Sequence, residues 1–281
     1  MGGFKAAALS VIRRGPRQVL WTPPKVHLGN HLYYWLHAFH QQRQGTDMRV
    51  LVSDEMRPWS GAFPRVFNEL TVDPGDLGLT DQRIAPGARQ RFGIDFTDET
   101  LDAFIERHLL AADTELTRGI EARSAPSDLT INVRRGDYYS DPRWRGEYSF
   151  DVVEFVRAAI GAVQQDSPIR GIHVVSDGLD WCRTKLAWLE EIAPVSYPEA
   201  ADGPLDHLVA LAGSPRLVLA NSSFSYWGGY LSAYRARTAP TGIPTGVWAP
   251  AFNSRSLPNG RATQLDPRWH IIESIPGGWD G

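Results

Sequence analysis

LTINVRRGDY, residues 129–138, carries an alternating strand straight into a cluster of charge. Leu129, Ile131 and Val133 alternate with Thr130, Asn132 and Arg134, the two-residue period of a β-strand. Arg135, Gly136 and Asp137 follow at once. Arginine cannot shed its charge, and its planar fork matches carboxylate and phosphate oxygens. Two guanidiniums and a carboxylate at the end of a buried strand predict a site for an anionic ligand, above all a diphosphate. The competing reading is a surface ion pair at a strand end, which is common and contributes little.

The strand-then-helix pattern recurs on both sides. Downstream, a long loop leads to a helix over 151–164. A strand at 172–175 ends in Ser176 and Asp177, and its helix carries Leu179, Cys182, Leu186 and Leu189 on one face. A strand at 216–220 ends in Asn221, Ser222 and Ser223, and the next helix is striped by Phe224, Trp227, Leu231 and Tyr234. Upstream, a strand at 17–21 stops at Pro23 and Pro24. A loop through His27, Leu28 and Gly29 then enters a helix at 30–43 with Asn30 as its N-cap. Residues 48–52 read as a strand and 58–92 as loops with short elements. Residues 98–120 read as one helix striped by Leu101, Ile105, Leu109 and Leu116. Strands alternating with helices predict an α/β fold with mostly parallel sheet. A linker at 122–128, holding Pro126, divides the 281 residues into 1–125 and 126–281, each long enough for its own core.

Composition narrows the function classes. The net charge is −3 and there is no basic tract, which disfavours a nucleic-acid partner. Cys182 is the only cysteine, which excludes an internal disulfide and fits a reducing compartment. No signal peptide, membrane-length apolar run or lipidation signal is legible. The expectation is a cytoplasmic protein, or one peripheral at the inner face of the membrane. Lysine occurs only at Lys5, Lys25 and Lys185, an arginine bias that fits a G+C-rich bacterial genome.

In open parallel sheets, ligands bind beyond the carboxyl ends of the strands. Those ends offer Arg134, Arg135 and Asp137, then Ser176 and Asp177, then Asn221, Ser222, Ser223 and Ser225 at a helix start. A helix N-terminus attracts phosphate through its free amides and dipole. Asp177 suits ribose hydroxyls or a guanine edge, and helix capping is its alternative role, as it is for Ser222 and Ser223. The adjacent Gly228 and Gly229 weaken a helix and imply close approach of backbone or ligand. No phosphate-loop or dinucleotide fingerprint exists, and no Asp-x-Asp pair, so no bridging metal is expected. His27 and His31 flank Gly29 and Asn30, so a shared helical face and a metal site are not expected. Tyr139, Trp144 and Tyr148 are candidates to stack on a sugar, with core packing the alternative.

Four strings in order resemble the α-1,2-fucosyltransferases, a group that also looks related to protein O-fucosyltransferases and α-1,6-fucosyltransferases. They are HLGNH at 27–31, NVRRGDY at 132–138, VSDG at 175–178 with Trp181-Cys182, and NSSFSYWGG at 221–229, followed by VWAP at 247–250. The resemblance implies a GT-B-like α/β fold of two Rossmann-like domains facing a central cleft. The first domain would be the acceptor side and the second would bind the GDP-sugar. It also implies GDP-fucose as co-substrate, no cofactor or metal, inversion at the anomeric carbon, and a glycan or glycoside acceptor such as galactose O2. Arg134 would then stabilise the departing diphosphate, with Ser222, Ser223 and Phe224 beside it, Asp177 near the nucleoside, and Gly29 and Asn30 facing the donor. Three positions depart from the family pattern. Asn132 replaces a histidine, His27 replaces a glycine, and His31 replaces a glutamine and becomes a candidate general base. Packing of a helix-start histidine at the domain seam is the alternative for His31. Transfer from another GDP-sugar, or a carbohydrate- or nucleotide-binding protein without turnover, are the rival functions. Acceptor choice is expected to lie in 55–95 and 138–150.

Overall fold

The computed structural model describes residues 15–122, 128–238 and 244–280. The chain divides into two units, Met1–Arg118 and Gly119–Gly281. In the first, β1 (Gln18–Leu20), β2 (Met48–Leu51), β3 (Thr71–Val72) and β4 (Gln82–Ile84) form one parallel sheet in the order β3-β2-β1-β4. Helix α1 (Leu28–Arg43) connects β1 to β2. Leu32, Tyr33, Trp35, Leu36 and Phe39 of this helix are buried, as are Val19, Leu20 and Val50 of the sheet. Helices α2 (Pro64–Leu70) and α3 (Asp98–Phe104) follow, and the division between the units falls within α4 (Glu115–Ala122).

The second unit is built on β5 (Leu129–Val133), β6 (Ile172–Ser176), β7 (Val195–Ser196), β8 (Arg216–Val218), β9 (Gly246–Pro250) and β10 (His270–Ile272). All pair in parallel, in the order β10-β9-β8-β5-β6-β7. Counted from β5, this is the doubly wound dinucleotide-fold order, and the chain reverses direction across the sheet between β5 and β8. All five residues of β5 are buried, as a central parallel strand covered on both faces requires. Helices α5 (Gly136–Ser140), α6 (Pro142–Tyr148), α7 (Val152–Asp166), α8 (Leu179–Lys185), α9 (Pro204–Gly213) and α10 (Ser223–Thr238) complete it. The α/β class and the Rossmann-like parallel sheets expected from the sequence are therefore present.

The glycine pair of α10 serves packing. A Cβ on Gly228 would lie 2.7 Å from Leu211 of α9, and one on Gly229 would lie 2.8 Å from Leu219 and Trp269. Overpacking of this kind costs about 1–3 kcal/mol, more than the ~1 kcal/mol that alanine gains over glycine in a helix. Gly228→Ala is accordingly expected to lower the melting temperature by several degrees; a rise on thermal denaturation would remove this account.

Several expectations need correction. Helix α1 starts at Leu28, and its N-cap is His27, whose side chain makes no capping bond. Asn30 is already inside the first turn, because the turn closes through His27 O to the Asn30 and His31 amides. The helix expected over 98–120 is interrupted. Helix α3 passes into a π-helical turn at Ile105–Leu109, and Thr114 Oγ1 donates to Leu109 O at 2.9 Å while accepting from the Thr117 amide at 3.1 Å, which starts α4 afresh. The loop expected after β5 contains α5 and α6, whereas 58–92 holds short elements as expected: α2, β3 and β4. Helix α9 was not expected at all. Leu208, Val209, Ala210, Leu211 and Ala212 are all buried, so no polar face gives it a readable period. Of the proposed linker, residues 123–127 lie outside the described residues.

Candidate functional site

The register of the second sheet sets three strand ends side by side. Val133 of β5 pairs with Ser176 of β6, and Ile131 pairs with Val218 of β8. The residues beyond these ends are Arg134-Arg135, Asp177-Gly178 and the Asn221–Ser225 segment that opens α10.

Arg134 is bracketed by carboxylates. Its Nη2 meets Asp137 Oδ1 at 2.5 Å and its Nη1 meets Asp177 Oδ2 at 2.6 Å. Its Nε is buried and has no hydrogen-bond partner among the described residues. The guanidinium lies 5.1 Å from the centre of the Tyr138 ring. Gly136 makes the arrangement possible, since any Cβ there would overlap Asp177 Oδ2. Burial raises the Tyr138 phenol, so it stays a proton donor at neutral pH. The glycine of the RRGD string was the sequence signal for this crowding, and its role was not read.

Asp177 does not cap its helix. The N-cap of α8 is Gly178, while Asp177 Oδ1 accepts from the Arg135 amide at 2.6 Å. Ser176 Oγ accepts from the Gly178 amide at 2.9 Å and shapes the turn. Arg135 is engaged differently from Arg134. Its guanidinium is sandwiched between Tyr139 at 3.6 Å and Trp181 at 4.1 Å, where cation–π attraction replaces lost hydration.

Across the switch point, Asn132 Nδ2 donates to Val175 O at 3.0 Å and its Oδ1 accepts from Ser225 Oγ. Ser225 Oγ is 2.8 Å from Ser222 Oγ, which also accepts from the Ser225 amide at 3.2 Å. One hydrogen-bond chain thus ties α10 to β5 and β6 and brings the helix start beside the strand that ends in Arg134. Ser222 is a cap, and Asn132 and Ser225 are internally satisfied, as buried polar groups must be. Asn221 is engaged too, donating to Tyr148 O and Asn253 O, both at 2.9 Å. The buried Asn253, which sequence reasoning missed, returns a bond to Asn221 O and one to Tyr226 OH at 3.1 Å. The first-turn amides of Ser223 and Phe224 have no hydrogen-bond partner among the described residues, the ordinary open state of a helix N-terminus. Both residues are half-buried. Among the described residues of this edge, the Arg134 Nε and the first-turn Ser223 and Phe224 amides of α10 are left without a partner.

In the first unit, Gly29 is buried in the opening turn of α1, and Asn30 Oδ1 accepts from Gln90 Nε2 at 2.9 Å. His31 is fully buried and stacks on Trp35 at 5.9 Å. Burial pushes it down to about 4, so it is a weak base rather than one matched to neutral pH. Burial, and then the Arg89 charge, pushes His37 of the same helix to about 4 as well. Folded values below the ordinary 6.5 mean that the unfolded chain binds more protons between those limits. The stability from these rings is full above the unfolded value and is lost as pH falls through about 4, by up to ~3 kcal/mol per ring. Melting temperature should fall in that window, and His31→Gln should flatten the slope; an unchanged slope removes His31 from the account. Among the described residues, no group of three or more His, Cys, Asp or Glu side chains could hold a metal ion, and no helix is long and apolar enough to cross a membrane.

The family model described as Glycosyl transferase family 11 matches residues 91–239. No curated protein matches the chain. Among solved structures, the chain is similar to the glycosyl transferase family 9 protein of Veillonella parvula (8% identity, 92% of this chain and 87% of that one, TM-score 0.47). It is similar to the ADP-heptose LPS heptosyltransferase II of E. coli (10% identity, 94% and 92%, TM-score 0.46) and to POFUT1 in complex with GDP (10% identity, 83% and 98%, TM-score 0.41).

Proposed function

The chain belongs to glycosyl transferase family 11 and is a glycosyltransferase, and from that premise we propose that it transfers L-fucose from GDP-fucose to a glycan hydroxyl, galactose O2 foremost. The observation that carries the donor assignment is the Arg134 guanidinium, whose buried Nε lacks an acceptor, at the switch-point end of the central strand beside the open start of α10. A nucleoside diphosphate supplies oxyanions for both groups. The acceptor oxygen attacks the anomeric carbon from the face opposite the diphosphate. As that bond forms, the carbon–oxygen bond to the diphosphate breaks, its electron pair leaves with GDP, and the acceptor hydroxyl passes its proton to solvent water. The configuration inverts. Arg134 and the α10 dipole take up the charge developing on the leaving group, with no metal required. Asp137 and Asp177 orient the guanidinium before the donor arrives, and Asp177 exchanges Arg134 for the nucleoside.

The test is thermal stabilisation by GDP, GDP-fucose, GDP-mannose, ADP and UDP, followed by GDP release in the presence of a β-galactoside. GDP and GDP-fucose are expected to stabilise, and GDP-fucose to be turned over. Turnover with GDP-mannose alone would reassign the donor. Stabilisation without release would make the chain a binding protein.

A further inference from the structure

Among the described residues, three large apolar side chains stand well exposed: Leu79, Ile94 and Trp144. Only Trp144 belongs to the second unit, and its surroundings are built rather than incidental. The Arg134 guanidinium sits over Tyr138, Tyr138 stacks on Tyr148 at 4.4 Å and 13°, and Trp144 tilts against Tyr148 at 6.0 Å while remaining 42% exposed. A row of aromatic rings therefore runs from the cation of the donor site to an open indole.

The short helix that presents this indole is pinned at both ends. Asp141 caps α6 by accepting from the Arg143 amide at 2.9 Å. At the other end Tyr148 O accepts from Asn221, Glu147 O accepts from the Arg255 amide at 3.0 Å, and the Glu147 carboxylate accepts from Ser254 Oγ and from the Ser256 amide at 2.8 Å. Asn221 also precedes the helix start that faces the diphosphate, so one side chain ties the indole's helix to that site. A tryptophan held open to water at a fixed place beside a polar site suits a ligand with one apolar face and several hydroxyls. A pyranose ring is such a ligand, since its C–H face packs on the indole while its hydroxyls stay solvated.

We propose that Trp144 is the platform for the acceptor sugar, a pyranoside of the β-galactoside type whose C–H face stacks on the indole. This rests on the reading of the chain as a GDP-sugar transferase. The probe is phenyl β-D-galactopyranoside, added to wild type, Trp144→Ala and Trp144→Phe. In Trp144→Ala, kcat/KM for the galactoside is expected to fall about tenfold or more, chiefly through KM, and Trp144→Phe is expected to recover most of the loss. Affinity for GDP and hydrolysis of GDP-fucose by water are expected to stay within about twofold in both variants, because the indole packs on Tyr148 while Arg134 lies over Tyr138. Galactoside-dependent change in tryptophan fluorescence should be present in wild type and absent in Trp144→Ala. A wild type that gives no fluorescence response, a response that survives in Trp144→Ala, or an equal loss of GDP affinity would each overturn the platform. Failure of the donor reading shows separately, as absence of GDP binding in the wild-type protein whatever the galactoside does.

Discussion

Arg134→Ala is expected to lower the transfer rate by about a thousandfold while the second unit stays folded. The guanidinium is half-exposed, and its pairs with Asp137 and Asp177 lie at a surface edge. Pairs of that kind contribute about 1 kcal/mol or less to stability, so the melting temperature should move by only a few degrees. The rate is different, because under the proposed mechanism Arg134 is the side-chain cation that meets charge on the leaving diphosphate. Arg135 is fixed between Tyr139 and Trp181, and Asn132, which stands where the resembled family has a histidine, is neutral and bonded to Ser225 and Val175. Removing Arg134 also leaves Asp137 and Asp177 without their shared cation, which repels an incoming diphosphate. Arg134→Lys restores charge without the planar fork and should remain at least about tenfold below wild type. Near-normal turnover in the alanine variant would end the proposed mechanism.

The largest expected loss of stability lies at the opposite end of the same sheet. Arg216, at the start of β8, is 1% exposed and pairs with Asp128. It also donates to Ser167 O at 3.1 Å, Ser167 Oγ at 2.7 Å and Pro168 O at 2.9 Å. Arg216→Ala empties the space of a fully buried side chain, leaves the Asp128 carboxylate with the Arg170 amide as its donor, and strips part-buried acceptors at Ser167 and Pro168 of theirs, which together cost about 3–5 kcal/mol. For a unit of this size that is a drop of about 10 °C in melting temperature. KM for the GDP-sugar should be unchanged below the transition, because Arg216 sits at the amino end of its strand, away from the ligand edge. A drop of less than about 2 °C would show that water replaces the arginine at little cost. The two variants separate the ends of the sheet: one loses rate and keeps its fold, the other loses stability and keeps its binding.

Much of the framework of the candidate site was legible in residue order. The strands expected at 129–134, 172–175 and 216–220 are present at Leu129–Val133, Ile172–Ser176 and Arg216–Val218, and the carboxyl-end rule points to the residues beyond them. The role of each polar residue was not legible. Arg135 and Arg134 are neighbours of one type, yet one is clasped by Tyr139 and Trp181 while the other pairs with Asp137 and Asp177. His31 carried an ordinary basicity on paper, and burial against Trp35 removes it. The break in the helix over 98–120 was hidden because the apolar stripe runs on through it: Leu101, Ile105, Leu109 and Leu116 are all buried.

By itself the sequence determined the α/β class, the strand ends and the order of the motifs, because periodicity and turn chemistry are local properties of the chain. Only the tertiary structure decided which polar groups are satisfied within the fold and which stay open. Asn132 meets Ser225, and Arg134 meets Asp177, across stretches of chain that carry no mark of each other. Such pairings follow from the register of parallel strands and the packing of the helices between them, and local spacing does not encode either.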